Sequence, residues 1–193
     1  ADPEFVAADM LSQAEHDPLS SAVLVTPSPA LAEAVSAAVA RQLEALPRKA
    51  IALEALDAFG ATFVVTDLAA GFDLANRIAP EHLELLIDAP FEHLGKIRNA
   101  GAVFVGPYTP EPVGDYVAGP NHVLPTAGTA RFSSALSVDN FIKKTSVISY
   151  GEDAFRAEAP DVIRLAETEG LGAHARSVRV RLDKSAPKAD PAA

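Results

Sequence analysis

Short apolar segments rich in β-branched residues recur along the first half of the chain, and segments with helical periodicity separate them. Such segments are typical of strands that are buried on both faces of a sheet. The predicted strands are SAVLVT (21–26), ATFVVT (61–66), LELLI (83–87) and AVFVG (102–106). The predicted helices cover 4–16, 29–46, 49–58, 67–79 and 90–101. This alternation predicts an α/β fold with an open, mostly parallel sheet in a three-layer αβα sandwich.

The alternation stops after the fourth strand. Residues 107–131 are rich in glycine and proline and predict a long loop, which in a compact domain is more often functional than not. A short helix (135–142), a strand TSVISY (145–150), a helix (152–168) and a basic segment with helical character are predicted next. The sequence therefore predicts an incomplete Rossmann-like α/β domain over 1–150, a helical tail over 151–184 and a disordered end over 185–193.

Composition narrows the classes of partner and compartment. The 193 residues carry a formal net charge of −10, which argues against nucleic acid and anionic membranes, because both bind clustered Lys and Arg. No apolar run reaches the ~20 residues of a membrane-spanning helix, and the N-terminus, ADPEFVAADM, does not resemble a signal peptide. Because the chain has no cysteine, disulfides, thiolate zinc sites and thiol nucleophiles are excluded within it, and a cytoplasmic location fits.

Candidate metal ligands occur in polar stretches that we expect beyond the carboxyl ends of the strands, where open α/β sheets bind ligands. Gln13 and His16 are three residues apart in a predicted helix, so one helix face presents both to an ion. Asp115, in the predicted loop GDYVAGPNHVLPT (114–126), offers a hard anionic ligand. A solvent-facing helix end and a turn aspartate explain the same residues, and spacing alone does not choose between these interpretations.

A carboxylate and an imidazole are adjacent at the entrance to the third strand. Pro80 ends the preceding helix, so Glu81 and His82 emerge together at that point. Such a pair can act as base and acid near neutral pH, because the pKa values of both groups are readily tuned; a solvated turn is the alternative. The chain has no G-x-G-x-x-G, P-loop or G-x-S-x-G motif. The residues alone predict a metal-assisted acid–base site and name no substrate.

Four motifs along the chain resemble the C-terminal half of the histidinol dehydrogenase family. They are SQAEHDP, IAPEHLEL, VGPYTPEPVGDYVAGPNHVLPTAG and EGLGAHARSVRVR, in this order, and the resemblance runs from about residue 5 to about residue 184. It implies a zinc-containing homodimer that oxidises L-histidinol to L-histidine through an aldehyde, with two NAD. Family members are roughly twice as long, which implies that this chain is a fragment, inactive alone, and that most NAD contacts lie outside it.

The resemblance also implies roles for individual side chains. The catalytic pair would be Glu81 and His82. The ligands of the one zinc ion in each site would be Gln13, His16, Asp115 and His174. The residues around the substrate would be Gln13, His16, His82, Asp115, His122, Glu169 and His174. The tail that carries Glu169 and His174 would enter the site of a second copy, by exchange of identical elements in the homodimer.

Two other functions remain open at this point. A non-catalytic α/β binding or assembly module would fold, with or without a metal, and catalyse nothing. A zinc-dependent hydrolase would use Glu81 to activate water. Bound zinc would favour either enzyme over the module, and reduction of NAD by histidinol would favour the dehydrogenase over the hydrolase.

Overall fold

A computed structural model describes residues 1–184. The chain divides into two compact units, Ala1–Ile142 and Lys143–Ala193. The first unit contains all four strands that the structure assigns within the described residues, and the second contains two helices. The predicted disordered end (185–193) lies outside the described residues.

The first helix, α1 (Pro3–Ala14), begins at a capped position, because the Asp2 side chain accepts the N–H of Glu4 at 2.9 Å. Its buried side chains recur at helical spacing and are Val6, Ala7, Leu11 and Ala14. The predicted helix is confirmed, but it ends at Ala14, so His16 lies in the turn beyond it. Pro18 explains this end, since the residue before a proline is disfavoured in the helical conformation.

Two helices connect the first pair of strands. β1 (Val23–Thr26) and β2 (Ala61–Val64) are parallel, and α2 (Pro29–Leu43) and α3 (Lys49–Phe59) lie between them in the chain. Ser28 caps α2 as predicted, because its hydroxyl accepts the N–H of Leu31 at 3.2 Å.

The second pair of strands is also parallel. β3 (His82–Leu85) follows α4 (Leu68–Ile78), and β4 (Ala102–Val105) lies beside β3 with His82 opposite Ala102. The connection contains a 3₁₀ helix (Pro90–Lys96) in place of the longer helix predicted over 90–101.

A buried asparagine explains why this 3₁₀ helix ends at Lys96. The Asn76 side chain is only 5% exposed, and its Oδ1 accepts the N–H groups of Arg98 at 2.7 Å and Asn99 at 3.1 Å. Its Nδ2 donates to the carbonyl of Lys96 at 2.8 Å. These bonds occupy backbone groups that a continuing helix would need for itself.

The predicted α/β class with parallel strands and a helical tail is confirmed. Within the described residues, the four strands pair as two two-stranded sheets, β1 with β2 and β3 with β4. One cluster of buried side chains joins α1 to α2 and α3 and consists of Leu11, Ala14, Leu43, Ala52 and Ala55. A second joins α1 to α2 and β1 and consists of Val6, Leu24 and Val35. The helix α1, which carries Gln13, is therefore fixed by the core.

The long loop predicted over 107–131 contains a short helix, α5 (Glu111–Tyr116), and a 3₁₀ turn (Thr129–Arg131). Asp115 therefore lies on a helix and not in a loop. Packing explains the glycine at position 114 of this helix, because a Cβ on Gly114 would lie 2.7 Å from the Phe104 ring. The helix predicted over 135–142 is a 3₁₀ turn, Val138–Phe141.

The second unit contains α6 (Glu152–Thr168) and α7 (Gly172–Lys184). The helix predicted over 152–168 and the helical character of the tail are confirmed. The strand predicted over 145–150 is wrong: that segment has no regular structure, and Val147 is 90% exposed. An apolar β-prone run becomes a strand only beside another strand, and within the described residues none pairs with it. No helix in residues 1–184 has the length and apolar character that crossing a membrane requires.

Candidate acid–base and metal site

The candidate site lies at the amino end of β3. The αL conformation of Ala79 (φ 54°) ends α4, and the strand begins three residues later at His82. A glycine allows β4 to lie close by: the N–H of Gly101 donates to the Pro80 carbonyl at 2.9 Å, and a Cβ there would lie 2.5 Å from the Glu81 carbonyl oxygen. The expectation that the site lies beyond the carboxyl ends of the strands is therefore wrong for β3.

His82 is held from two sides. Its Nδ1 lies 3.1 Å from Oε1 of Gln13 on α1, and its ring meets the edge of the Phe104 ring at 5.8 Å between centroids. Because an amide oxygen only accepts, His82 donates from Nδ1 and leaves Nε2 free to take a proton. Burial lowers the pKa of His82. The electrostatic interaction with Asp115 opposes this shift, and that with His16 adds to it. The neutral imidazole is thereby favoured.

Glu81 shares this electrostatic environment. Burial is the main cause that raises the pKa of its carboxyl group, and the negative charge of Asp115 raises it further. The electrostatic interaction with His16 acts in the opposite direction. Glu81 is therefore a stronger base than an ordinary surface carboxylate.

The helix α5 supplies two carboxyl groups on one face, Glu111 and Asp115, which are separated by one helical turn. Glu111 is only 7% exposed, and its Oε1 lies 3.8 Å from Nε2 of His82. Burial, followed by a hydrogen bond with Asp115, raises the pKa of Glu111 to about 7. One ligand atom from each of His82, Glu111 and Asp115 lies within 4.8 Å of the others.

Sequence reasoning missed three acidic residues here: Glu111 within this cluster, and Asp9 and Glu84 beside it. Glu84 on β3 accepts the backbone N–H of Glu111 at 3.1 Å. Burial, and a hydrogen bond with Asp9, raise the pKa of Glu84 to about 8. The signal that could have found these residues is their spacing from the predicted ones: four along a helix, or two along a strand.

The other predicted residues differ in their surroundings. His16 is exposed just beyond α1 and acts on Glu81 and His82 through its charge. His122 is exposed in the irregular segment after α5. Glu169 caps the end of α6 and His174 lies on α7, both exposed and both in the second unit.

The donor set fits a divalent cation. Imidazole and carboxylate are ligand types that zinc accepts, and the amide oxygen of Gln13 is a further neutral donor. The Oε1 atom of Glu111 is buried and makes no hydrogen bond to any described residue, and such an orphaned acceptor is costly without a partner. Asp115 belongs both to this observed cluster and to the predicted ligand set.

A cavity of about 770 Å³ in the first unit opens onto these side chains. Site residues contribute to its polar lining, and β1 and α4 contribute to its apolar lining. The site residues that line it are Asp9, Gln13, Glu81, His82, Glu84 and Glu111. This volume and mixed lining are typical of a small-molecule site.

Comparison with known proteins gives one consistent family. The family model described as histidinol dehydrogenase matches residues 1–182. The histidinol dehydrogenase of Nitratidesulfovibrio vulgaris is 60% identical over 181 residues, 94% of this chain and 42% of that protein. That of Carboxydothermus hydrogenoformans is 58% identical over 182 residues, 94% of this chain and 43% of that protein.

A solved structure agrees with the sequence relatives. The crystal structure of histidinol dehydrogenase from Elizabethkingia anophelis matches with a TM-score of 0.85 at 41% identity, over 95% of this chain and 42% of that chain. The chain thus spans about two fifths of the length of these relatives.

Proposed function

Since the chain belongs to the histidinol dehydrogenase family, we propose that it supplies the acid–base and zinc-binding part of an enzyme that oxidises L-histidinol to L-histidine through the aldehyde. The observation that carries the proposal is the arrangement of His82, with Nδ1 on Gln13 and Nε2 facing the carboxyl groups of α5. Because the relatives are more than twice as long, we expect the chain alone to be inactive. The cysteine-free sequence supports a cytoplasmic location.

His82 is the proposed base of the alcohol oxidation. Its Nε2 takes the hydroxyl proton of the substrate while a hydride leaves the carbon that carries this hydroxyl group. NAD, when bound, accepts that hydride in each of the two oxidations, and we expect most of its contacts outside this chain. Burial favours the neutral imidazole that this step requires.

Glu81 is the proposed base of the aldehyde oxidation. The aldehyde must first gain an oxygen atom, and because this chain contains no cysteine we propose that the oxygen comes from water. Glu81 takes one proton as the water oxygen bonds to the carbonyl carbon, and His82 donates a proton to the carbonyl oxygen. The resulting hydrate loses a hydride from carbon and a proton from one hydroxyl group, which the neutral His82 accepts. The carboxylic acid formed in this way loses its remaining acidic proton to water and becomes the carboxylate. The raised pKa of Glu81 favours its action as a base.

The proposed zinc ligands are Gln13, His16 and Asp115, with His174 from the second copy of a homodimer. Zinc, when bound, supplies an electrophilic centre that binds and orients the amine and imidazole of the substrate. His122 and, from the second copy, Glu169 are the proposed further contacts to the substrate. The orphaned Oε1 of Glu111 supports a cation beside this group.

A Glu81→Gln variant of the full-length enzyme tests the proposal, with histidinol and histidinal assayed separately as substrates. We expect aldehyde oxidation to fall about 100-fold or more, because only this step requires an activated water, and alcohol oxidation to fall less than tenfold. Equal losses in the two steps would mean that Glu81 positions the substrate. Hydrolysis without NAD reduction would favour a zinc hydrolase instead.

A further inference from the structure

Three elements meet at the candidate site, and each carries a second, acidic side chain one repeat away from its site residue. Four residues along a helix, or two along a strand, return to the same face. Each element therefore contributes one side chain to the site and one to an adjacent acidic layer. The pairs, site residue first, are Gln13 with Asp9 on α1, His82 with Glu84 on β3, and Asp115 with Glu111 on α5.

Glu84 connects the three elements within the acidic layer. Its Oε1 accepts the backbone N–H of Glu111 at 3.1 Å, which joins β3 to α5. Its carboxyl group also shares a hydrogen bond with that of Asp9, which joins β3 to α1. Such a bond between two carboxyl groups requires that one of them holds a proton.

The helix α5 depends on contacts of this kind. It is six residues long, and a helix so short is not stable without tertiary packing. The N–H of Glu111 belongs to its first turn and has no partner within the helix, and no side chain caps this end locally. The Glu84 carboxyl group satisfies that N–H from the neighbouring strand and thereby fixes where α5 begins.

We propose that Glu84 is a positioning residue that holds α1 and α5 at the spacing their metal ligands, Gln13 and Asp115, require. The inference rests on the proposed metal site. Glu84 acts through the two helices and not on the ion. Packing alone would not call for a carboxyl group here, because an apolar side chain of similar volume is buried at lower cost.

Two substitutions of Glu84 in the full-length protein separate hydrogen bonding from packing. Glu84→Gln keeps a donor for Asp9 and an acceptor for the Glu111 N–H, whereas Glu84→Leu keeps the approximate volume and loses both. Val35→Ala, a cavity variant at a core position 1% exposed, is the control for lost stability without a lost hydrogen bond. The two readouts are the zinc dissociation constant, by competition with a chelator, and hydrogen exchange of the segment 110–117.

We expect Glu84→Leu to weaken zinc binding about tenfold or more, as other losses of support around metal ligands do, and to speed exchange in 110–117. Glu84→Gln and Val35→Ala should stay within about threefold of the wild type in zinc affinity. If the wild type binds zinc and Glu84→Leu binds it equally well, the positioning role is wrong and the metal site stands. If the wild type binds no zinc, the metal site is wrong and the inference falls with it.

Discussion

Adding one methyl group at Gly114 should disturb the candidate site through the packing of α5. A Cβ at this position would lie 2.7 Å from Cε1 and 3.1 Å from Cζ of Phe104. This is about 1 Å short of the 3.5–4.0 Å at which carbon atoms pack best. Phe104 is only 7% exposed and its ring contacts the His82 ring, so the ring cannot move away without displacing His82.

The expected magnitude follows from two opposing effects. Overpacking of this kind costs about 1–3 kcal/mol, while replacement of glycine by alanine within a helix stabilises it by about 0.5–1 kcal/mol. We therefore expect Gly114→Ala to lower the free energy of unfolding by about 0.5–2 kcal/mol. Because Asp115 is the next residue, zinc affinity should also fall, by about tenfold.

Urea unfolding and chelator competition measure the two effects. Gly95→Ala is the matched control, since a Cβ at Gly95 would meet nothing within 4 Å. Combining Gly114→Ala with Phe104→Leu, which shortens the opposing side chain, should cost less than the sum of the two single changes. If Gly114→Ala and Gly95→Ala have the same free energy of unfolding and the same zinc affinity, the packing of α5 on Phe104 does not control the site.

Three further predictions concern the ligands, the pH dependence and the second copy. His16→Ala should abolish stoichiometric zinc in the purified enzyme while Glu111→Gln retains it; the reverse result would give the ion to the cluster of His82, Glu111 and Asp115. In the folded state the pKa values of Glu84 and Glu111 are about 8 and about 7, above the usual 4.5. Between the usual and the raised values, the folded state therefore binds more protons than the unfolded state. The free energy of unfolding of the zinc-free protein should therefore fall as the pH rises from 5 to 9, and Glu84→Gln should flatten this slope in urea titrations. Mixing inactive His174→Ala and His16→Ala subunits should restore part of the activity, because one site of each heterodimer regains every ligand; no recovery despite proven subunit exchange would contradict the exchanged tail.

The elements of the first unit could be predicted because their local patterns are strong. Apolar runs identified β1 to β4, and Ser28 with Pro29 located the start of α2. The predictions failed where long-range contacts decide the conformation. The helix α5 contains a glycine that only the nearby Phe104 ring explains, and the end of the 3₁₀ helix at Lys96 depends on a side chain twenty residues earlier in the chain, Asn76.

The location of the site could not be predicted from the order of the motifs. Gln13 precedes β1 and His82 is the first residue of β3, whereas Asp115 follows β4. In a parallel sheet these positions belong to opposite edges, so the chain must reverse after β4 to bring them together. Gly106, with φ 88°, directly follows β4 and permits such a reversal. The direction of α5 along β3, from Glu84 towards His82, is therefore set by the tertiary structure and not by the local sequence.

The acidic layer has the same origin. In the sequence its members resemble ordinary surface carboxylates, because Asp9, Glu84 and Glu111 lie far apart in the chain and belong to no common motif. Once α1, β3 and α5 are placed side by side, the helical and strand repeats that align the site residues necessarily align these carboxyl groups as well. Burial then raises their pKa values. The hydrogen bonds of Glu84 to Asp9 and to the backbone N–H of Glu111 join the three elements. The chemistry of this layer therefore follows from topology, and a substitution there should be judged by the hydrogen bonds it keeps, not by its distance from the reacting atoms.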